Sequence, residues 1–507
     1  MSNSKKKIHL GEKLISNTVY LFLDWLVLSF LSFIFWMILG KSLSPSDVGI
    51  VATSINLIIF ISGFSTLGIT NALQKLIPEL KEKRGLKGVY PLVKLAFKPL
   101  LISLVMTLLI LLLFSNQFSS FVKIPYYAFL ICIFSILLIS IYDFLGSTLY
   151  GLQNMRRIFL TDTVQILLRV LFTGLLIFLG FSFFGPLIGV SLAYLFALLL
   201  RFDSNYFINR ESLSYKKLFF YASPALISTL ASTLITRGEY IILTILTTTE
   251  VTGIFTIAFT ITSVIGVLAH IPSSGLFPII SALSIDKKTK RKQGYLIGLV
   301  LRYSLFLVIP LSLLLMVFSK HAILLFSGPE FLPSTQYFPI LILGVIVYGI
   351  GVIFSSNLYA VGKPKIRRNI MVTSSLLFLV SSLVLTKYFS ALGLSFSYLI
   401  TMLFQFLVSF IYIKKFVKLN LFIGDLSKIF LSSLVILSIL FVIKPFIHDL
   451  FRLTIILFPV SLIYLGILLF TNFYRIEDIR ILRYFGEKVP IAGKYILTIA
   501  NFIESRL

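Results

Sequence analysis

The sequence predicts an all-α integral membrane protein of about fourteen transmembrane helices, and three observations predict it. Mean hydropathy is +1.01, with 58% hydrophobic and 13% charged residues, a balance that no water-soluble domain sustains. Apolar runs of about 20 residues recur along the chain, each long enough to cross roughly 30 Å of hydrocarbon as a helix. Lysine and arginine collect in every second connection, as they do in chains threaded back and forth through a bilayer.

The first stretch, "MSNSKKKIHLGEKL", is polar and basic. The apolar run after it lacks a small-residue cleavage pattern, so it reads as an uncleaved first span at roughly 15–39 and not as a signal peptide. Further spans are expected at roughly 48–72, 95–115, 125–149, 160–181, 184–201, 218–246 and 251–280. The remainder fall at roughly 296–319, 336–361, 369–387, 391–413, 427–446 and 453–473.

Charge then orients the spans. One side carries Lys5, Lys6, Lys7 and Lys13, the group from Lys75 to Lys94, Arg156 and Arg157, and Arg201 to Lys217. It continues with "DKKTKRK", "GKPKIRR", Lys414, Lys415, Lys418, Lys428 and the tail from Arg475 to Arg506. The other side holds only Lys41, Lys123, Lys320, Lys387, Lys444 and Arg452. Basic residues accumulate on the cytoplasmic side, so both termini are expected there. In the tail, Ile491, Tyr495, Ile499, Phe502 and Ile503 share one helical face, which reads as a helix lying in the membrane interface.

The chain repeats itself. "STLYGLQNMRR" (147–157) and "SNLYAVGKPKIRR" (356–368) each end an apolar run with a Ser-x-Leu-Tyr and a basic pair. "LSPSDVGIV" after the first span is echoed by "LTTTEVTGIF" after the seventh, each with an acid, Asp47 or Glu250, before Val, Gly and Ile. The spans that follow end near Pro78 and Pro278. The matching positions are polar, Gly or Pro, which chance similarity between Leu-rich helices does not produce. Six spans per copy is an even number, so the copies are parallel and related by an axis along the membrane normal, enclosing a central cavity. The expected organisation is an N-lobe at about 1–205, a C-lobe at about 206–420, two extra helices at about 421–474 and a tail at about 475–507.

With "LSPSDVGIVATSINLIIFISGFSTLGITNALQKLIPEL", "SPALISTLASTLITRGEYIILTILTTTEVTGIF" and "SNLYAVGKPKIRRN" in view, the chain resembles a known family over nearly its whole length. It is similar to the polysaccharide and oligosaccharide-lipid flippases of the multidrug/oligosaccharidyl-lipid/polysaccharide superfamily. The resemblance implies two six-helix lobes around a central cavity, often cationic, and export of a lipid-linked, polyprenyl-diphosphate sugar from the cytoplasmic to the outer leaflet. Lipid-linked sugar and membrane lipids are then the partners, the protein is expected to act as a monomer in the plasma membrane, and no cofactor is implied. The motifs are loose, and the family's best-known cavities place arginines in the first span, where this chain has Asp24 and no basic residue.

Ionisable residues at mid-span are functional candidates by default. Asp24, Arg169 and Arg237 fall near the midplane, counted at about 1.5 Å per residue. Glu239 sits two residues after Arg237, on a different helical face. Asp143 and Arg302 lie nearer the cytoplasmic ends of their spans. Arg237, Arg169, Arg302, Asp24 and Glu239 are the candidates for substrate binding, and Asp24 and Asp143 for ion coupling. For Arg237 the alternative is a fixed ion pair, since a guanidinium suits either phosphate or carboxylate. Asp24 could equally relay a cation or proton or pair with an arginine, and Arg169 is the expected partner.

Other chemistries find little support. The net charge of +26 sits at the ends of apolar runs, so it belongs to the membrane surface and no nucleic acid is expected. No "GxxxxGK[ST]" loop is present, and "VGKPK" has proline where the hydroxyl is needed. Cys132 stands alone, and His9, His270, His321 and His448 lack metal-ligand spacing. A diphosphate carrying about two charges gains roughly 4.6 kcal/mol per 100 mV on leaving an inside-negative cell, so the potential alone could drive export. The competing readings are a cation-coupled drug or metabolite antiporter of the same superfamily, a membrane glycosyltransferase, which would carry acids on a large outer loop, and a scaffold.

Overall fold

The computed structural model describes residues 3–203, 215–284, 289–446, 450–476, 478–480, 483, 487 and 493–504. These are helical throughout, without strands among the described residues. The first half runs α1 (Asn3–Ser42), α2 (Pro45–Ser65), α3 (Ile69–Arg84), α4 (Leu86–Leu113), α5 (Ser115–Val122), α6 (Tyr126–Gly151), α7 (Met155–Phe178) and α8 (Phe184–Arg201). The second runs α9 (Tyr215–Leu246), α10 (Thr249–Leu283), α11 (Lys290–Val317), α12 (Ser319–Phe326), α13 (Phe338–Ala360) and α14 (Pro364–Phe416). After these come α15 (Ile423–Ile443), α16 (Leu450–Phe470) and a tail helix, α17 (Gly493–Glu504).

Twelve of the described helices are long and apolar enough to cross a membrane, with α14 counted once. That helix breaks at Ser390, whose φ of 54° and ψ of −136° are not helical, and is two spans. With α16, a further apolar helix of 21 residues, all fourteen expected spans are present. Within the tail, the side chains of the expected apolar face lie outside the described residues. Its Ala500 is buried beside Ile479.

One boundary differs from expectation. The second span stops at Ser65 instead of continuing to about 72, because Leu67 and Gly68 turn left-handed, at φ 49° and 71°. Gly68 takes that conformation without a side-chain clash. The chain then forms α3, an amphipathic helix that buries Ile69, Ala72, Leu73, Leu76 and Ile77 at the 3.6-residue spacing of one face. This face packs with Val89, Leu92 and Val93 of α4, Phe144 and Leu145 of α6, and Leu218 and Ala222 of α9.

The first pair of repeated motifs folds into the same turn twice. Leu152, Gln153 and Asn154 donate backbone hydrogen bonds to Thr148, Tyr150 and Leu149, and Val361, Gly362 and Lys363 donate to Asn357, Tyr359 and Leu358. Each donor and acceptor in the second set lies 209 positions after its counterpart. One left-handed residue makes each reversal, Gln153 at φ 58° and Gly362 at φ 77°, the usual way a helix C-terminus satisfies its last carbonyls.

The chain divides into two compact units. The first comprises Met1–Ile261, Phe326–Leu341 and Arg368–Phe404, and the second Thr262–Leu325, Ile342–Arg367 and Gln405–Leu507. In the first unit the second pair of repeated motifs meet each other. A Cβ built on Gly49 would lie 1.7 Å from the Thr249 carbonyl oxygen, and one on Gly253 would lie 1.8 Å from the Pro45 carbonyl oxygen. Ser46 Oγ and Thr249 Oγ1 are 2.9 Å apart, and Thr53 Oγ1 and Thr244 Oγ1 2.6 Å apart. Small residues let helix backbones touch where lipid supplies no hydrophobic drive between helices.

The second unit is organised around Arg302, which is 0% exposed. Its Nη1 and Nη2 donate to the two Asp478 carboxylate oxygens at 2.8 Å, and Nη2 also donates to the Phe473 carbonyl at 2.7 Å. Its Nε lies 2.8 Å from Asp425 Oδ2, an ion contact whose angle falls short of a hydrogen bond. Arg475 closes the cluster by donating to both oxygens of Asp425, and Tyr303 donates to Asp478 at 2.6 Å. Arg302 was expected to face substrate. A guanidinium this enclosed, in contact with two carboxylates and a carbonyl, instead joins α11 to α15 and to the segment after α16.

Two outcomes follow from this packing. Gly49→Leu should destabilise the detergent-solubilised protein by about 3 kcal/mol, the upper end of over-packing costs. Gly174→Ala, where a Cβ meets nothing within 4 Å, should stabilise by up to about 1 kcal/mol; equal thermal shifts for the two would remove the close crossing. Asp478 supplies the second. Burial raises its pKa, but hydrogen bonds from Arg302 and Tyr303 and the Arg302 charge outweigh burial and hold it below the ordinary 3.8. Its stabilisation is therefore complete above about pH 4 and lost as the pH falls through the depressed native value. Acid unfolding of Asp478→Asn should show a shallower dependence than wild type below pH 4, on a stability already lowered by about 3–5 kcal/mol.

Candidate functional site

The charged residues of the first unit's spans form a polar belt inside it. At one end is a cavity of about 400 Å³, walled by Asp143 of α6, Asp162 and Gln165 of α7, Tyr194 and Arg201 of α8 and Gln74 of α3, among others. An apolar fold hides such a cluster because each helix contributes only one or two polar residues to it. Asp162 and Arg169 illustrate the placement: seven residues apart on α7, they share a face two turns long.

Arg201 organises the cavity wall. It is 3% exposed, and its Nη2 donates to Asp162 Oδ1 at 2.7 Å. Its Nε donates to Thr161 Oγ1 at 2.9 Å and its Nη1 to the Tyr142 carbonyl at 3.2 Å. The guanidinium carbon sits 3.6 Å from the Tyr142 ring centroid, and the Tyr142 hydroxyl donates to the same Asp162 oxygen at 2.7 Å. Gly146 leaves room for this: a Cβ there would come within 2.4 Å of Arg201 Nη1. Asp143 opens to the cavity, and Asp24, from α1, interacts electrostatically with Asp162 and Arg201. Asp24 Oδ1 is buried with no hydrogen-bond partner among the described residues. Three carboxylates, Asp24, Asp143 and Asp162, thus gather around one arginine.

Tyr194 links this acidic end to a basic one. Its neighbours in charge are Asp143, Arg169, Asp162 and Arg201, and its ring meets Tyr142 edge-on at 5.2 Å. Arg169 stacks on Phe35, with its guanidinium carbon 3.8 Å from the ring centroid. Its Nε has no hydrogen-bond partner among the described residues, and its charge interacts with that of Arg237. Arg237 donates to Asn56 Oδ1 of α2 at 3.2 Å. Glu239 is 1% exposed and interacts with the Arg237 charge, but makes no ion pair with it; its Oε2 has no hydrogen-bond partner among the described residues.

Of the six residues singled out from sequence, five therefore lie in the first unit. Asp24 and Asp143 belong to the acidic end, and Arg169, Arg237 and Glu239 to the basic end; Arg302 lies in the second unit's ion cluster. The expected Asp24–Arg169 pairing is not formed: Asp24 faces Asp162 and Arg201, and Arg169 faces Phe35, Tyr194 and Arg237. Sequence reasoning passed over Asp162, Tyr142, Tyr194 and Asn56, and set Arg201 on the cytoplasmic rim. The available signal was positional: Arg201 closes an apolar run from the inside, and Asp162 stands two turns from Arg169. Among the described residues no group of three His, Cys, Asp or Glu side chains could hold a metal ion.

Chemically, the basic end offers two guanidiniums to an anion, and the acidic end offers carboxylates to a cation or proton. Solved structures with the same fold include the lipid II flippase MurJ in an inward closed conformation, at a TM-score of 0.72 and 16% identity, covering 89% of this chain and 98% of that one. An inward-facing multidrug resistance MATE family transporter of the MOP superfamily aligns at 0.61 and 14%, covering 79% and 94%. A point mutant of the Vibrio cholerae MATE transporter VcmN aligns at 0.52 and 16%, covering 80% and 97%. No curated protein matches the sequence itself. The family model for polysaccharide biosynthesis proteins matches residues 14–284, more than half the chain, and on that match this chain belongs to the polysaccharide biosynthesis protein family.

Proposed function

We propose that the protein is a flippase that moves a polyprenyl-diphosphate-linked oligosaccharide from the cytoplasmic to the outer leaflet by alternating access of its two repeats, with both termini in the cytoplasm. The observation that carries this reading is the neighbouring pair Arg169 and Arg237, which share electrostatic reach while neither forms an ion pair among the described residues. Two guanidiniums within electrostatic reach of each other, neither in an ion pair among the described residues, favour a doubly charged anion with several acceptor oxygens, and a diphosphate presents one. Family membership and the fold shared with a lipid II flippase support the same substrate class. The reading assigns the chain no bond-making step.

The acidic end favours a second element, coupling to a cation. Asp24, Asp143 and Asp162 outnumber the one arginine, Arg201, that they surround, and Asp24 stands near mid-span, where unpaired charge is costly. A cation-coupled drug or metabolite antiporter would use that end and leave Arg169 and Arg237 idle.

Purified protein in vesicles should translocate a labelled polyprenyl-diphosphate sugar, and Arg237→Ala should slow it at least about tenfold, the loss of one charge-assisted contact. Unchanged transport in the variant would remove Arg237 from the site, and no transport of any such lipid by wild type would remove the substrate class. Alternating access has its own test at the repeated turns. Ser46→Cys with Thr249→Cys places two thiols where the native oxygens are 2.9 Å apart, near enough for a disulfide. Oxidation should arrest transport and reduction should restore it; full activity of the oxidised form would exclude separation of these helices from the cycle.

A further inference from the structure

The second unit contains a cavity unrelated to the polar belt, of about 870 Å³, where the ends of three spans converge. Its rim carries Arg291 from the start of α11, Lys414 from the end of α14 and Lys418 from the connection to α15, with Tyr295, Phe422 and Ile423 below them. All three cations are solvent-exposed. Among the described residues none of the three makes an ion pair, and no acid lines the cavity. Asp425, the acid nearest in sequence to Lys414 and Lys418, is bound by Arg302 and Arg475.

The floor is rigid. Lys418 and Asn420 donate backbone hydrogen bonds to the Lys290 and Gly294 carbonyls at 3.3 and 3.4 Å. Cβ atoms built on Gly294 and Gly298 would lie 1.8 and 1.7 Å from the Lys418 and Asn420 carbonyl oxygens, so the 418–420 strand of chain lies directly on α11. Phe422 sits in a left-handed conformation at φ 48° with its ring against Tyr295 at 5.3 Å. The cations therefore surround a preformed pocket, and preorganisation lowers the cost of binding. Beneath the rim, α15 turns Ile423, Phe430, Leu431 and Val435 outward, with Ile423 73% exposed.

Three cations without an ion pair among the described residues, above an outward apolar helix face, match the two ends of an anionic amphiphile. We propose that this cavity binds the headgroup phosphate of an anionic membrane phospholipid, whose acyl chains run down α15. Arg291 supplies a forked donor for phosphate oxygens, and Lys414 and Lys418 supply point charges. Basic pockets between transmembrane helices are a recurring form of lipid recognition. The proposal is independent of what the polar belt carries, because no residue is shared between the two.

The full-length protein in phosphatidylcholine nanodiscs containing a minor fraction of phosphatidylglycerol should retain phosphatidylglycerol on release, measured by native mass spectrometry. Each cation near a membrane surface contributes about fivefold. Lys414→Gln alone should therefore lower retention about fivefold, and Arg291→Gln with Lys414→Gln and Lys418→Gln about a hundredfold. The matched variant Lys75→Gln with Lys83→Gln and Lys98→Gln, which removes the same charge from the first unit, should leave retention unchanged. Equal loss in both triple variants, or none in either, overturns the site. Displacement of the retained lipid by inorganic phosphate at the same concentration would make it a free-anion site and overturn the lipid assignment. Displacement by a polyprenyl diphosphate at a hundredfold lower concentration would assign it to transported substrate instead.

Discussion

In the conformation described, the first unit is held together where two backbones touch. Where α2 and α10 cross, Gly49 rests on the Thr249 carbonyl and Gly253 on the Pro45 carbonyl. Each glycine meets the carbonyl four residues before the other glycine, so the contact is reciprocal. Lipid chains are as apolar as leucine, and helices in a bilayer gain their association from close packing and hydrogen bonds. A crossing without side chains at its centre brings the most atoms into contact and lets the flanking hydroxyls pair, as Ser46 does with Thr249 and Thr53 with Thr244. Asp47 of the same turn accepts a hydrogen bond from Ser182, which ties the crossing to the connection between α7 and α8.

Buried charge is managed in two different ways in the two units. Around Arg302 both Nη atoms are hydrogen-bonded and Nε rests in ion contact with Asp425, aromatic rings of Phe473 and Tyr303 cover the guanidinium, and the cluster holds helices together. In the polar belt the commitments are partial: Asp24, Arg169 and Glu239 each keep a buried atom without a hydrogen-bond partner among the described residues. A buried polar group left unmade costs about 1–3 kcal/mol. A fold that carries several of them in one place gives up stability there, which is the common cost of a site that must accept something else.

The sequence made the spans legible because hydropathy and alternating charge act over twenty residues at a time, and no single contact can reverse them. The repeat was legible for a related reason. Of its matching positions, Gly49 and Gly253 are those where the backbone itself is constrained. What escaped was pairing. Depth along a helix can be counted from its ends, and this put Asp24, Arg169 and Arg237 in the interior. Azimuth and neighbour cannot be counted, so the Asp24–Arg169 pair was misjudged and Asp162 went unnoticed. Arg302 was misread because its partners, Asp425 and Asp478, stand beyond the sixth span of the second repeat, in the part of the chain that repeat logic does not cover. The left-handed residues at Leu67 and Gly68 ended a span inside a continuous hydrophobic run, where periodicity alone gives no sign of a stop.

The Arg302 cluster also imposes an order on biosynthesis. Asp478 lies 176 residues after Arg302, and at about 5–20 residues per second that interval takes roughly 10 to 35 seconds. For that time the arginine lacks the carboxylate that binds both its Nη atoms, and α11 must be held in or near the membrane as a helix whose charge is not fully paired. Its final position is therefore sealed late, by a segment that follows the last span. A ribosome that stops short of residue 478 leaves a complete set of hydrophobic helices and an incomplete protein.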